Sequence, residues 1–415
     1  MIKTRFIYTL LSYALLPYAL LHLLWRSRKQ PAYLKHSGER FGFYAVVPAK
    51  PLIWLHAVSV GETRAAGPLV KALRKAYPEH RILLTHMTPT GRETGERMFG
   101  DGVLRCYLPY DFPQAVKRFL SHFKPVAGVL LETEIWFNLI HLCKEKRIPI
   151  YLVNARLSEK SAARYSRYHS LVSTGLNELT AIAAQTQGDA ERLRALGATV
   201  IQVTGNLKFD MLPPFFALEV GRELRSSFGA RPVFLAASTR VGEEERVLEA
   251  ISVAGVPSLL SVIVPRHPQR FDEVAALLIR RGICFQKRSE NLPVAADTQV
   301  VLGDSMGEMF AYYAACDVAF VGGSLLPLGG QNLLEACAMG KPALIGPHTF
   351  NFAEAAELAV QAGAAQRVRD ADELGLALKS LFADEAKRKA MGDSGRAFCA
   401  AHQGATQKIL KLISF

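Results

Sequence analysis

Short apolar runs alternate with amphipathic segments along most of this 415-residue chain. Runs such as PLIWLHAVS (residues 51–59) and IPIYLVN (148–154) have the length and composition of buried strands. The segments between such runs, for example AAGPLVKALRKAY (65–77), have the apolar spacing of helices. Because alternation of this kind builds parallel sheets covered by helices on both faces, the chain is predicted to have an α/β fold.

The alternation has one clear interruption, at DMLPPF (residues 210–215), where adjacent prolines end any helix. It resumes with PVFLAAS (232–238) and continues through the second half of the chain. A chain of this length can bury two hydrophobic cores rather than one. We therefore predict two doubly wound domains, residues 31–215 and 216–415, after an N-terminal segment of residues 1–30.

The N-terminal segment has the composition of a membrane anchor helix. Residues 6–25 include no Lys, Arg, Asp or Glu, and about 20 such residues are enough for a helix to cross the hydrocarbon core. A helix lying in the membrane interface is an alternative, because Tyr8, Tyr13 and Pro17 interrupt the apolar run, and a cleaved signal peptide is a third. Basic residues are denser after the run, so the positive-inside rule places residues 26–415 in the cytoplasm.

The chain is basic, with 50 Lys and Arg residues against 37 Asp and Glu residues. Eight of the basic residues lie within residues 1–50 beside one acidic residue, and such a block suits an anionic membrane surface. Nucleic acid is not an expected partner, because the sequence has no helix-turn-helix pattern, zinc spacing or aromatic RNA-binding motif. Six isolated cysteines indicate reduced thiols in the cytosol. Without an HExxH motif or paired His and Cys residues, no metal is predicted.

Three segments of the first half place polar residues just after an apolar run, where α/β sheets bind ligands. Glu62 in SVGET is a candidate general base, although Ser59 and Glu62 have the spacing of a helix capping box, which the pattern alone favours. Glu132 and Glu134 in LETEIW would face one side of an extended segment. Lys208 in VTGNLKFD would either stabilise an anionic group or be a solvated loop lysine.

The second half carries segments suited to an anionic ligand. Arg266 and His267 stand between prolines after an apolar run, a stiff setting for a phosphate or carboxylate. The segment FVGGSLLPLGGQNLLE (320–335) has four glycines that permit close backbone approach, followed by a predicted helix from Gln331 with free N–H groups. A nucleotide site is predicted there, with Glu335 accepting ribose hydroxyls, although Asn332 and Glu335 also have capping spacing. MGEMF (306–310) is expected to line the same site.

Taken in order, several motifs resemble those of 3-deoxy-D-manno-octulosonic acid (Kdo) transferases. They are HAVSVGE, ETEIW, NARLSEKS, TGNLKFD, PRHPQRF, GDSMGEM, FVGGSLLPLGGQNLLE and GPHTFNF. The resemblance implies a GT-B fold, with two Rossmann-like domains facing across a cleft, acceptor groups in the first and the donor nucleotide in the second. It also implies transfer of Kdo from CMP-Kdo to a lipid A precursor, lipid IVA, in lipopolysaccharide core biosynthesis on the cytoplasmic side of the cell inner membrane.

The same resemblance assigns roles to individual residues. Glu62 would be the catalytic base, in contrast to the capping interpretation, while Glu132 and Lys208 would stabilise the transition state of a one-step, inverting displacement. No cofactor is implied, since CMP-Kdo is the donor substrate. The implied CMP-Kdo site comprises Arg266, His267, Met306, Gly307, Glu308, Asn332, Leu333, Leu334 and Glu335.

The chain also departs from the family pattern at Phe137, Arg240, Gln331 and Leu333. Two other functions stay open at this point. One is a nucleotide-sugar epimerase of related fold, which would need no lipid. The other is an inactive, membrane-anchored protein that binds a CMP-sugar without turnover.

Overall fold

The computed structural model describes residues 2–211, 213 and 215–414 of the chain. The chain divides into two compact units, the first formed by Met1–Met211 with Gln403–Phe415 and the second by Leu212–His402. The division falls within the predicted interruption at residues 210–215, of which Leu212 and Pro214 lie outside the described residues.

The first unit contains a seven-stranded parallel sheet in the order β3-β2-β1-β4-β5-β6-β7. Its central strand β1 is buried along its whole length, as expected for a strand covered on both faces. The strands are β1 Leu52–His56, β2 Arg81–His86, β3 Val103–Tyr107, β4 Ala127–Leu131, β5 Ile150–Ala155, β6 Ala181–Ala184 and β7 Ile201–Val203.

The helices of the first unit connect these strands and cover the sheet. The N-terminal pair is α1 Ile2–Ala14 and α2 Leu16–Lys29. The connecting helices are α3 Val60–Ala65, α4 Gly67–Ala76, α5 Pro89–Phe99, α6 Pro113–Phe123, α7 Phe137–Glu145, α8 Glu159–Ser166, α9 His169–Glu178 and α10 Gln187–Ala195.

The second unit repeats the architecture with a seven-stranded parallel sheet in the order β10-β11-β9-β8-β12-β13-β14. Its strands are β8 Val233–Thr239, β9 Leu260–Pro265, β10 Phe285–Lys287, β11 Val300–Leu302, β12 Val318–Val321, β13 Ala343–Ile345 and β14 Ala365–Arg367. Its helices are α11 Phe215–Phe228, α12 Glu243–Ala254, α13 Phe271–Arg280, α14 Met309–Ala315, α15 Leu334–Ala338, α16 Ala353–Gln361, α17 Ala371–Ala383 and α18 Glu385–His402.

Two doubly wound parallel sheets confirm the predicted α/β class and the Rossmann-like character of each unit. The runs PLIWLHAVS, IPIYLVN and PVFLAAS contain β1, β5 and β8, respectively. Each of these strands is almost entirely buried, because helices cover both faces of its sheet.

The C-terminus corrects the predicted domain boundaries. Residues 403–415 were assigned to the second domain, but helix α19 (Ala405–Leu412) packs on α4 of the first unit. Ile409 and Ile413 are buried there, and the Tyr77 hydroxyl donates a hydrogen bond to the Ile413 carbonyl oxygen at 3.1 Å. The prediction was therefore wrong for residues 403–415. It relied on the order of strands and helices along the chain, which does not reveal which unit a terminal amphipathic helix will cover.

The N-terminal segment is bent rather than one continuous helix. Pro17 lies in the first turn of α2. Proline has no N–H to donate, and its ring clashes with the carbonyl oxygen one turn earlier, so a continuous helix is interrupted there. Among the described residues no single helix has the length and apolar composition to cross a membrane, whereas Thr4–Ala14 and Leu16–Arg28 together do, with a 43° bend between them. Helix α1 contacts α7 and α9, so this segment is part of the first unit and not a separate domain.

Candidate active site

The order of strands reverses direction between β1 and β4 in the first sheet, and this point marks the candidate site. Strand β1 pairs with β2 on one side and with β4 on the other. In doubly wound sheets, ligands bind outside the carboxyl ends of the strands at such a reversal. Glu62 follows β1, and Glu132 and Glu134 follow β4, so three carboxylates lie at this end of the sheet.

Glu62 is held in place by the start of α3. Its carboxylate accepts a hydrogen bond from the Val58 N–H at 2.7 Å, and the Ser59 hydroxyl accepts the Glu62 N–H at 3.4 Å. The capping interaction suggested by the sequence therefore exists. It does not exclude a catalytic role, because the cap fixes the side chain where β1 ends.

Burial raises the pKa of Glu62 to about 7, and the charges of Glu132 and Glu134 act in the same direction. Hydrogen bonds from Val58 and Ser59 oppose this increase, because they stabilise the ionised carboxylate. A general base works best when its pKa lies near the operating pH. Glu62 therefore has the ionisation expected of a base at neutral pH.

Glu132 forms the centre of an ion-pair network. Its backbone adopts a left-handed conformation, with φ of 57°, which is uncommon for a residue with a side chain. One carboxylate oxygen lies 3.0 Å from Arg156 Nε and the other 3.7 Å from Lys208 Nζ. Because Glu132 is buried, two cations that share its carboxylate are held beside the end of the sheet.

Lys208 reaches this network from a short 3-10 helix, Leu207–Asp210, that follows β7. The Asn154 side-chain oxygen accepts the Leu207 N–H at 2.9 Å, and the Asn206 side-chain oxygen accepts the Lys208 N–H at 3.0 Å. These contacts position the segment independently of the lysine side chain. The structure thus brings Lys208 and Glu132 together as an ion pair, while their catalytic roles stay predictions.

Glu134 lies between an indole and a buried imidazole. Its carboxylate accepts the Trp136 Nε1–H at 2.7 Å and lies 3.9 Å from His56 Nε2. Burial lowers the pKa of His56 to about 3, so the ring is neutral, and the Thr85 carbonyl oxygen lies 3.1 Å from its Nδ1. His56 Nε2 has no hydrogen-bond partner within the described part of the chain. Burial also raises the pKa of Glu134.

The corresponding reversal of strand order in the second unit lies between β8 and β12, where the glycine-rich segment begins. The buried carboxylate of Glu243 accepts the N–H groups of Gly323, Ser324 and Leu325. It also accepts the Arg240 N–H at 2.9 Å. The backbone donors directly after β12 are therefore satisfied by a side chain of the protein.

One prediction about the glycine-rich segment was wrong. The helix was expected to start near Gln331 with free N–H groups, but α15 begins at Leu334, and the Gln331 N–H donates to the Gly322 carbonyl oxygen at 3.0 Å. The role of the glycines in ligand approach stays a prediction, and internal packing also disfavours a side chain at two of them. A Cβ at Gly322 would lie 2.6 Å from the Ser238 oxygen, and one at Gly329 would lie 2.3 Å from Asn351 Nδ2.

A cationic cluster stands beside this segment, formed by the loops after β8 and β9. Arg266 Nε donates to the Gln331 side-chain oxygen at 3.2 Å, and Arg270 Nη1 donates to the Glu244 carboxylate at 2.6 Å. Burial lowers the pKa of His267, and so do the charges of Arg240, Arg266 and Arg270. Such a concentration of guanidinium groups suits a phosphate.

The other residues predicted for the CMP-Kdo site differ in the groups that they offer to a ligand. Glu308 accepts a hydrogen bond from Arg288 at 3.1 Å, Gly307 has φ of 91°, and Met306 is exposed. Asn332 Nδ2 donates to the Glu335 carboxylate at 3.3 Å, and Asn332 Oδ1 accepts the Leu334 N–H at 3.2 Å, so the cap on the Glu335 N–H that the spacing suggested is not formed. The side chains of Leu333 and Leu334 are buried in the core, so these two residues offer a ligand only their backbone.

Four residues of these two sites were not identified from the sequence. Arg156 follows β5 and so satisfies the rule that polar residues after strands are candidates, whereas His56 is the last residue of β1 itself. Glu243 and Arg270 gave no such signal, because each acts through a partner far along the chain.

Comparison with known proteins gives consistent matches. The family model for 3-deoxy-D-manno-octulosonic-acid transferase (kdotransferase) matches residues 35–211, and the model for glycosyl transferases group 1 matches residues 283–398. A 3-deoxy-D-manno-octulosonic acid transferase from Bordetella pertussis is 46% identical over 384 residues, covering 89% of each chain. One from Haemophilus influenzae is 39% identical, covering 99% of this chain and 98% of the relative.

Among solved structures, UDP-GlcNAc 2-epimerase from Neisseria meningitidis superposes with a TM-score of 0.60 over 87% of this chain and 99% of its own. Its sequence identity is 16%, so the likeness shows the GT-B fold alone and does not favour the epimerase alternative. The two bacterial transferases, by contrast, match in sequence over nearly the whole chain. The chain therefore belongs to the 3-deoxy-D-manno-octulosonic-acid transferase family and is a glycosyltransferase.

Proposed function

We propose that this chain transfers Kdo from CMP-Kdo to a sugar hydroxyl of the lipid A precursor lipid IVA, in lipopolysaccharide core biosynthesis. The observation that carries the proposal is Glu62, a largely buried carboxylate with its pKa raised to about 7 at the strand reversal of the first sheet. Family membership supplies the Kdo chemistry. The position and ionisation of Glu62 supply the base that such chemistry needs.

The reaction is a single displacement. Glu62 removes the proton from the acceptor hydroxyl while that oxygen forms a bond to the anomeric carbon of Kdo. The bond from this carbon to the phosphate oxygen breaks on the opposite face, CMP leaves with the bonding electrons, and the anomeric configuration inverts. Negative charge accumulates on the departing phosphate, and cations held in place before the reaction stabilise it best.

Lys208 is the cation that we assign to this charge in the first unit. Its ion pair with Glu132 holds the ammonium group at the end of the sheet, and Glu132 is itself held by Arg156. We assign Glu132 the role of orienting Lys208, which is how it would contribute to transition-state stabilisation. A fixed charge needs no reorganisation when the phosphate departs.

CMP-Kdo binding is assigned to the second unit. The cluster of Arg266, His267 and Arg240 would receive the phosphate, and Glu335 the ribose hydroxyls. Met306, Gly307 and Glu308 would contribute backbone contacts, together with the backbone of Asn332, Leu333 and Leu334. Gln331 and Leu333 fit this role despite departing from the family pattern, because Gln331 contacts Arg266 and Leu333 packs into the core.

The lipid acceptor and the N-terminal helices point to the inner membrane, with the catalytic units on the cytoplasmic side. Phe6, Leu10 and Leu21 are each at least 60% exposed on α1 and α2. Such an apolar surface followed by Arg26 and Arg28 suits a bilayer with anionic headgroups. We therefore propose that these helices hold the enzyme at the membrane that contains its acceptor.

The test is a Glu62→Gln variant assayed with CMP-Kdo and the tetra-acylated acceptor. It should bind CMP-Kdo as the wild type does yet fail to transfer Kdo, as shown by mass spectrometry of the lipid product. Glu96→Gln, an exposed carboxylate on α5, is the matched control and should leave transfer unchanged. Near-normal turnover by Glu62→Gln would remove Glu62 from the base role, and a wild-type enzyme that adds no Kdo would contradict the proposed function.

A further inference from the structure

The contacts that join helix α1 to the body of the first unit include two hydroxyl groups and the ring of Tyr8. The Tyr8 hydroxyl donates to the Asp111 carboxylate at 2.7 Å, and the Thr9 hydroxyl donates to the Asn138 side-chain oxygen at 2.8 Å. The Tyr8 ring packs edge to face on Phe137, with centroids 5.2 Å apart. Both polar contacts are partly buried, so the inner face of α1 makes defined contacts with the first unit. The outer face of α1 is apolar and exposed.

The partners of α1 fix the start of helix α7. The buried Asp111 carboxylate accepts the N–H groups of Asn138 at 3.0 Å and Leu139 at 2.8 Å, which are first-turn donors of α7. The Asn138 side chain donates back to the Asp111 carbonyl oxygen at 2.8 Å. Tyr8 and Thr9 therefore complete a network that caps α7, and buried networks of this kind are rigid when every member is satisfied.

The first residue of α7 directly follows the segment that carries Glu132, Glu134 and Trp136. Phe137 packs against Gly175 of α9 as well as Tyr8. A Cβ at Gly175 would lie 2.6 Å from the Phe137 ring, so the ring has no room to shift towards α9. Phe137 and Asn138 therefore connect α1 by direct contacts to the end of the segment formed by residues 132–136.

We propose that α1 is a latch as well as a membrane attachment, with Tyr8 and Thr9 as positioning residues that hold residues 132–136 in the arrangement needed for the lipid acceptor. This inference rests on the proposed function, because it assigns the acceptor to the site beside Glu62 and Glu134. It differs from simple tethering in one measurable respect. A tether is dispensable when the acceptor is dispersed in detergent, whereas the latch is required there too.

The test uses the full-length enzyme with CMP-Kdo and the tetra-acylated acceptor in detergent micelles. The variant Tyr8→Phe/Thr9→Val removes both hydroxyls and keeps the shape of both side chains. Loss of these hydrogen bonds should raise the KM for the acceptor on the order of tenfold and leave the KM for CMP-Kdo within about twofold of the wild type. Thr9→Val alone, which keeps the Tyr8 contact, should give a smaller rise in the same direction.

The matched control is Tyr168→Phe, which removes a hydroxyl from a side chain that is 68% exposed and should change neither KM. An unchanged acceptor KM in the double variant overturns the latch, and wild-type turnover in the same assay shows that the proposed function still stands. An equal rise in both KM values, or a lower melting temperature with no selective effect on the acceptor, also overturns it, since both indicate general stability. Absence of turnover by the wild type contradicts the proposed function itself.

Discussion

Ionised Glu62 should weaken the folded state, so Glu62→Gln should stabilise the protein while abolishing transfer. The pKa of this carboxyl is raised from 4.5 to about 7 in the folded protein, chiefly by burial. In the unfolded chain the carboxyl titrates at its usual value, so between the two pKa values the folded state binds more protons than the unfolded state. Stability is therefore lost as the pH rises through this window, and the loss is complete above the folded pKa.

The size of the effect follows from the size of the shift. Each unit of pKa shift corresponds to about 1.4 kcal/mol, so ionised Glu62 lowers the free energy of unfolding by about 3 kcal/mol at pH 8 and by less than about 1 kcal/mol at pH 5. Glutamine carries no charge and still offers an oxygen to the Val58 N–H. The variant should therefore recover this free energy at the higher pH alone.

The assay compares melting temperatures of wild type and Glu62→Gln at the two pH values, with Glu96→Gln as the matched control. A gain for Glu62→Gln that is present at the higher pH and nearly absent at the lower one is the expected outcome. The same gain at both pH values would show that the effect does not come from ionisation. No gain at the higher pH would refute the conclusion that burial raises the pKa of Glu62.

Two further predictions concern one carboxylate in each unit. Glu134→Gln removes a negative charge that raises the pKa of Glu62, so the acidic limb of the kcat/KM profile should move to lower pH by roughly half a unit. An unmoved limb, or one displaced to higher pH, would contradict that coupling. Glu243→Ala leaves the N–H groups of Gly323, Ser324 and Leu325 without their buried acceptor, and should lower the free energy of unfolding by on the order of 3 kcal/mol. Calorimetry that shows a melting temperature equal to that of the wild type would contradict this role.

The sequence predicts those features that depend on local pattern and chain order. Alternating strands and helices are sufficient for two parallel sheets, and the rule for strand ends leads to Glu62 and Glu132. The ion pair between Glu132 and Lys208 could be expected only in outline, because its geometry depends on how β4 and β7 are placed in the sheet.

Features that depend on distant pairing were not accessible from the sequence. The glycines after β12 predict a backbone with free N–H groups. Nothing in their spacing reveals that the Glu243 carboxylate accepts hydrogen bonds from these groups. The contact of Tyr8 with Asp111 spans 103 positions, and an aromatic residue in an apolar run is equally consistent with lipid exposure. In both cases a polar group finds its partner through tertiary packing, which local periodicity does not encode.

The return of the C-terminus to the first unit has a consequence for synthesis of the protein on the ribosome. The second unit is one continuous stretch of chain, Leu212–His402, whereas the first combines Met1–Met211 with Gln403–Phe415. Asp210, two residues after Lys208, accepts the N–H groups of Gly404 and Thr406 at the start of α19. Until residues 404–413 have been synthesised, the surface covered by Ile409 and Ile413 is exposed and the Lys208 segment lacks this support. A nascent chain can thus complete its second unit before its first, which is finished only when α19 has been made.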